Sequence, residues 1–68
     1  LVQAEAQTNL GILEYRRGKF DECVKWQNES LQSLPNYVYA VHNRALCFLA
    51  LKRVEDATQY LKVGDTVE

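Results

Sequence analysis

Apolar and small residues recur along the chain at steps of three and four, the period of a helix packed on one side. From Ala4 to Arg17 the residues are good helix formers, and Arg16-Arg17 would sit in a last turn where positive charge complements the helix dipole. Gly18 follows, where a left-handed stop would fall. A second helix is predicted from Phe20, with Asp21 and Glu22 in its first turn and Phe20, Cys23, Val24, Leu31 and Leu34 at helical spacing. Pro35 closes it, and Asn36 is a candidate N-cap for a third helix from about Tyr37 to Leu51. Lys52-Arg53 is read as the next turn, and Val54, Ala57, Leu61 and Val67 mark a fourth helix. No stretch alternates with a period of two, so no strand is predicted. The expectation is an all-α fold of four antiparallel helices joined by short links.

The second half of the chain repeats the first. A shift of 34 residues brings Ala6 onto Ala40, Asn9 onto Asn43, Gly11 onto Ala45, and Cys23 onto Ala57. Phe20 falls on Val54, the pair Asp21-Glu22 on Glu55-Asp56, and Trp26 on Tyr60. Small stays small and the acidic pair stays acidic. Such a period, with a helix–turn–helix unit, is the mark of a solenoid repeat.

On these residues the chain resembles the tetratricopeptide repeat family. The first unit, "AEAQTNLGILEYRRGKFDECVKWQNESLQSLPNY", has the family's Leu-Gly pair at Leu10-Gly11, its turn glycine at Gly18, an aromatic at Phe20, a small residue at Cys23 and the closing Pro35. The second, "VYAVHNRALCFLALKRVEDATQYLKVGDTVE", has Ala45, Phe48 and Ala57 at the matching places. Departures are Gln7 and Glu14 where aromatics stand in the family, Trp26 displaced by one position, and Arg44 and Lys52 where Leu and Gly are usual. The resemblance implies one domain over residues 1–68, an α-α superhelix of two hairpins, with repeat one at 4–37 and a truncated repeat two at 38–68. Close crossing of the two helices in a hairpin would explain the small residues at Gly11 and Cys23, and at Ala45 and Ala57.

The resemblance also implies that the first helix of each unit lines a concave face. The helical wheel places Glu5, Thr8, Asn9, Ile12, Tyr15 and Arg16 on that face in unit one, and Tyr39, His42, Asn43, Leu46, Leu49 and Ala50 in unit two. A groove for a peptide or helix of a partner protein is expected there. Ile12, Tyr15, Tyr39, Leu46 and Leu49 would give apolar contact, and Asn9 and Asn43 would bond a ligand backbone. The bland alternative is that several of these residues pack on neighbouring repeats or merely face water. Some family members hold a free C-terminal carboxylate with lysine, asparagine and arginine. Here only the asparagines and one base, Arg16, lie on the inner faces, so such a clamp is not expected.

Composition narrows the classes of function. The chain has 68 residues and a net charge of -1, with both signs interspersed, which gives no nucleic-acid footprint. No apolar run approaches the roughly 20 residues of a membrane span. It opens on Leu1-Val2 and holds no Met, so a piece of a longer protein is expected, and with no signal peptide visible an intracellular (cytoplasmic) setting is expected over a secreted one. Cys23 and Cys47 are too few for a disulfide framework and read as small buried residues. His42 is the single histidine and has no ligand-spaced neighbours, so no metal or cofactor is expected. Nothing resembles a phosphate loop or a nucleophile elbow, and no enzyme activity is expected of these residues, though an appendage of a larger enzyme is an open alternative. Glu14 and Arg44 are charges at packing positions. They would either pair between repeats or carry their charges out to water. Finally, the last helix has no polar cap, so Val54, Leu61 and Val67 would need a cover, which stacking or hairpin exchange with a second copy could supply.

Overall fold

The structure, a computed structural model, describes the backbone of residues 1–67 and the side chains of residues 1–58. It is all-helical, with three helices in order: α1 (Val2–Arg16), α2 (Phe20–Ser33) and α3 (Val38–Val67). No strand occurs among the described residues. α1 and α2 form a hairpin, and the first half of α3 packs against both.

Local chemistry explains both turns. After Arg16 the amide of Gly18 donates to the Tyr15 carbonyl at 3.0 Å and that of Lys19 to the Glu14 carbonyl at 2.9 Å. This is the Schellman arrangement, and Gly18 has the left-handed φ of +80° that it needs. After α2, the Tyr37 amide donates to the Leu34 carbonyl at 3.2 Å, closing a β-turn with Pro35 and Asn36 at its centre. Asn36 has φ +66°, the left-handed value required of the third residue of a type II turn. It is therefore the turn residue rather than the expected N-cap.

The predicted boundary at Lys52-Arg53 is absent. α3 runs through it as one helix of 30 residues, about 45 Å long by its rise per residue. So the described residues form three helices, not four, and the second hairpin does not fold back. The reason is local: positions 49 to 58 hold no Gly, Pro or Asn, and Lys and Arg are good helix formers. The repeat pattern pointed to a turn that no residue there enforces. As a consequence, Val41 and Phe48, which a fourth helix would have covered, are 45% and 51% exposed.

The interface of α1 with α2 is built from small and polar groups. Ala4, Thr8 and Gly11 form one stripe of α1, and Cys23, Gln27 and Ser30 face them from α2; all six are buried. The Gln27 amide donates to the Thr8 carbonyl at 3.1 Å, and the Ser30 hydroxyl to the Ala4 carbonyl at 2.7 Å. The Thr8 hydroxyl lies 3.0 Å from Gln27 Oε1 and 2.8 Å from Ser30 Oγ. No buried side-chain polar atom among the described residues lacks a partner, which is what makes a polar interior tolerable. Gly11 sits where the helices cross. A Cβ there would collide with Gln27 Nε2 and lie 3.1 Å from the Trp26 Cβ and 3.2 Å from the Cys23 carbonyl oxygen. An edge-to-face contact of Tyr15 with Phe20, centroids 5.3 Å apart, closes the turn end of the hairpin.

Cys23 and Cys47 are fully buried, as expected, and they also meet. The structure joins them as a disulfide between α2 and α3, with Cα atoms 6.0 Å apart. Glu14 and Arg44 do not pair. Glu14 takes Arg17 of its own helix at 3.3 Å, and Arg44 donates to Asn28 Oδ1 on α2 at 3.0 Å. Glu14 is held one turn along its own helix and Arg44 is drawn to the facing α2, so the inter-repeat ion pair is not formed. Among the last-helix residues expected to need a cover, Val54 is described and is 48% exposed. The side chains of Tyr60, Leu61 and Val67 lie outside the described residues.

Candidate functional site

A groove runs between α1 and the first half of α3. Two hollows make it up, and Ile12 from α1 and Asn43 from α3 border both. The first, about 250 Å³, is closed by Tyr15, Arg16 and Leu46, with Cys23 and Cys47 as its floor. The second, about 350 Å³, is bordered by Glu5, Thr8, Asn9, Tyr37 and Tyr39.

The helical phase explains the arrangement. On α1, Glu5, Asn9, Ile12 and Arg16 follow steps of four, three and four, beside the stripe that faces α2. On α3, Tyr39, Asn43, Leu46 and Ala50 do the same, beside the buried Ala40 and Cys47. The groove is therefore the shared margin of two helices whose neighbouring faces are packed. Its ends differ. Around Ile12, Tyr15 and Leu46 the walls are apolar, with the Arg16 guanidinium at the rim. Around Glu5, Asn9, Tyr37 and Tyr39 they carry amide, carboxylate and phenol groups. Tyr37 and Tyr39 rest edge to face at that end, with centroids 5.5 Å apart.

Of the residues read from the sequence, nine border the groove: Glu5, Thr8, Asn9, Ile12, Tyr15, Arg16, Tyr39, Asn43 and Leu46. His42, Leu49 and Ala50 do not border either hollow; His42 and Leu49 are exposed on the flank of α3. Thr8 lies at the margin, yet it is buried and its hydroxyl belongs to the α1–α2 network, so it holds the hairpin rather than facing the groove. The sequence reading missed Tyr37, Cys23 and Cys47. Tyr37 stands at the start of the predicted third helix but is not among the residues its wheel places on the concave face; in the structure it is the last turn residue before α3. Cys47 stands four residues after Asn43, a spacing that would have placed it at the edge of the same face.

Among the described residues no group of three or more His, Cys, Asp and Glu could hold a metal ion. No described helix is long and apolar enough to cross a membrane. Compared with models of protein families, with characterised proteins and with solved structures, the chain matches none. The functional reading therefore rests on the fold and the groove.

Proposed function

We propose that this chain is a protein-interaction module of the tetratricopeptide repeat type, binding a peptide or helix of a partner protein between α1 and α3. The observation that carries the reading is the groove itself, with apolar walls at Ile12 and Leu46 and hydrogen-bonding groups at Asn9 and Asn43 along its length. An apolar hollow with a few convergent polar groups is what a helix or extended segment needs for affinity and for register. The repeat reading is supported by the close crossing at Gly11 and Cys23, the glycine stop at Gly18 and the turn at Pro35. On this reading residues 4–37 are a full hairpin and α3 supplies the first helix of the next unit.

The test is a screen of displayed random peptides, with binding mapped by amide chemical shifts. Enrichment with shifts gathered on Asn9, Ile12, Asn43 and Leu46 is the expected result. Shifts confined to residues outside the groove would remove the reading.

A further inference from the structure

The two hollows of the groove carry opposite charge. The larger has Glu5 on its border and no Lys, Arg or His among the residues that line it. The smaller has Arg16 and no Asp or Glu. Neither charge is taken up within the chain. Among the described residues the ion pairs are Arg17 with Glu14 and Lys52 with Asp56, and Glu5 and Arg16 form none. Helical phase separates the two neighbouring arginines. Arg17 is three residues from Glu14 and pairs with it, whereas Arg16, four residues after Ile12, stays on the groove side.

The surroundings of Glu5 favour a cation. Tyr37 and Tyr39 border the same hollow, with ring planes inclined at 67°. Rings so inclined make a corner rather than a flat wall, and aromatic faces attract an ammonium or guanidinium group. Asn9 and Asn43 add amide carbonyls that can accept its hydrogens. The first turns of α1 and α3 lie at this end, but a helix dipole acts along its axis and fades within the first turn, while the hollow opens on the flank. We infer that this hollow receives a lysine or arginine side chain of the bound segment, that an apolar side chain enters between Ile12 and Leu46, and that an acidic side chain meets Arg16. The inference rests on the groove reading and names the chemistry of the segment that the groove takes.

Spacing converts this into a pattern. Glu5 and Arg16 are eleven residues apart on α1, about 16 Å at the helical rise. An extended segment, bonding its backbone to Asn9 and Asn43, covers that span in about five steps. It reaches Ile12, about 10 Å from Glu5, in about three. The ligand pattern is therefore a base, an apolar residue three positions away, and an acid two positions beyond that.

The probe is a six-residue peptide, acetylated and amidated, with Lys first, Leu fourth and Asp sixth on a serine background. It is titrated into the isotope-labelled 68-residue chain at low salt, and amide shifts are followed. Replacing the peptide's Lys by norleucine should change the shifts of Glu5, Tyr37 and Tyr39 and leave those of Tyr15 and Arg16. Replacing its Asp by Asn should do the reverse. Exchanging the Lys for Glu should weaken binding by about fivefold or more, the upper range for exposed charges. Glu5→Gln should abolish that preference and Glu5→Lys should invert it, with helical circular dichroism kept because Glu5 is exposed. Equal binding of the Lys and Glu peptides, or a preference untouched by Glu5→Lys, overturns the inference. So does a Lys-to-norleucine change felt at Arg16 rather than at Glu5. If an uncharged peptide shifts the groove as strongly as the charged ones, the charge assignment falls and the groove reading stands. No groove shift with any of these peptides, nor with peptides selected by display, brings down both.

Discussion

Gln27 fills the space that Gly11 leaves empty. Its amide donates to the Thr8 carbonyl from a position that a Cβ on residue 11 would occupy. Gln27 is fully buried, and the same Cβ would also lie 3.2 Å from the Cys23 carbonyl oxygen, which is backbone and cannot swing aside. Gly11→Ala would gain up to about 1 kcal/mol of helix propensity. The overpacking should cost about 2–3 kcal/mol and win. The expected net loss of about 1–2 kcal/mol would lower the melting temperature by about 5–10 °C. Thermal melts of the two proteins decide it; an unchanged or raised melting temperature would show that the crossing is looser than described.

Thr8 tests the polar interior. Thr8→Val keeps the shape and removes the hydroxyl between Gln27 and Ser30. Two buried groups would lose a partner, at a cost of about 1–3 kcal/mol. Ser30→Ala removes the next link, and the double variant should lose less than the sum of the two singles, because the groups act as one network. A urea-denaturation cycle measures the coupling. Strict additivity would mean that the hydroxyls act independently. Peptide binding in the groove should survive Thr8→Val under conditions where the protein remains folded.

Much of the first hairpin was legible because its signals are local. Gly18, Pro35 and the steps of three and four each act within a turn of their own position. The groove was legible through phase alone, which set Ile12 and Asn43 on facing margins. Thr8 shows where phase is too coarse. It lies between the stripe toward α2 and the stripe toward the groove, and only the opposing Gln27 and Ser30 decide its side. The fourth helix failed for the opposite reason. A repeat is a relation between distant residues, and it cannot break a helix where Lys52 and Arg53 favour its continuation. Gln27, the largest fully buried side chain among the described residues, was invisible because its burial depends on Gly11 across the interface.

The two left-handed positions should respond differently to substitution. Gly18 has nothing within 4 Å of where a Cβ would stand, so Gly18→Ala carries only the backbone cost of φ +80°, about 1–2 kcal/mol. Gly18→Asn should cost less, since Asn tolerates that region. Asn36→Gly should be neutral to slightly stabilising for the same reason, and Asn36→Ala destabilising by about 1 kcal/mol. Equal melting temperatures for Gly18→Ala and Gly18→Asn would contradict the argument.

The Cys23–Cys47 bond ties α3 to the hairpin across 24 residues of sequence. Closing a loop of that length stabilises by about 3–4 kcal/mol in the chain-entropy account. The oxidised chain should carry no alkylatable thiol and should weigh two hydrogens less than the reduced one. Reduction should lower the melting temperature substantially, with the largest rise in amide exchange in the first half of α3. Alkylation of both thiols in the native, unreduced protein would show that they meet without bonding. In a reducing compartment the same residues remain as two small buried thiols in one contact.

The continuity of α3 separates this fold most sharply from a pair of repeats, and a distance measures it. Ala45 and Ala57 lie twelve residues apart on one helix, which sets their Cα atoms about 18 Å apart. In a folded-back hairpin they would face each other across an interaxial distance of about 8–10 Å. Spin labels at Ala45→Cys and Ala57→Cys, in a background with Cys23 and Cys47 replaced by Ala, would distinguish the two. Dilution with excess unlabelled chain removes distances between copies. A single population near the longer distance is expected. Replacing Lys52 by Gly supplies the missing stop, and should bring in the shorter distance as a second population, because Ala45 and Ala57 already have the small side chains that a close crossing needs. A short distance in the unaltered sequence would mean that the chain closes its second hairpin without a glycine, and α3 would then end at Lys52-Arg53.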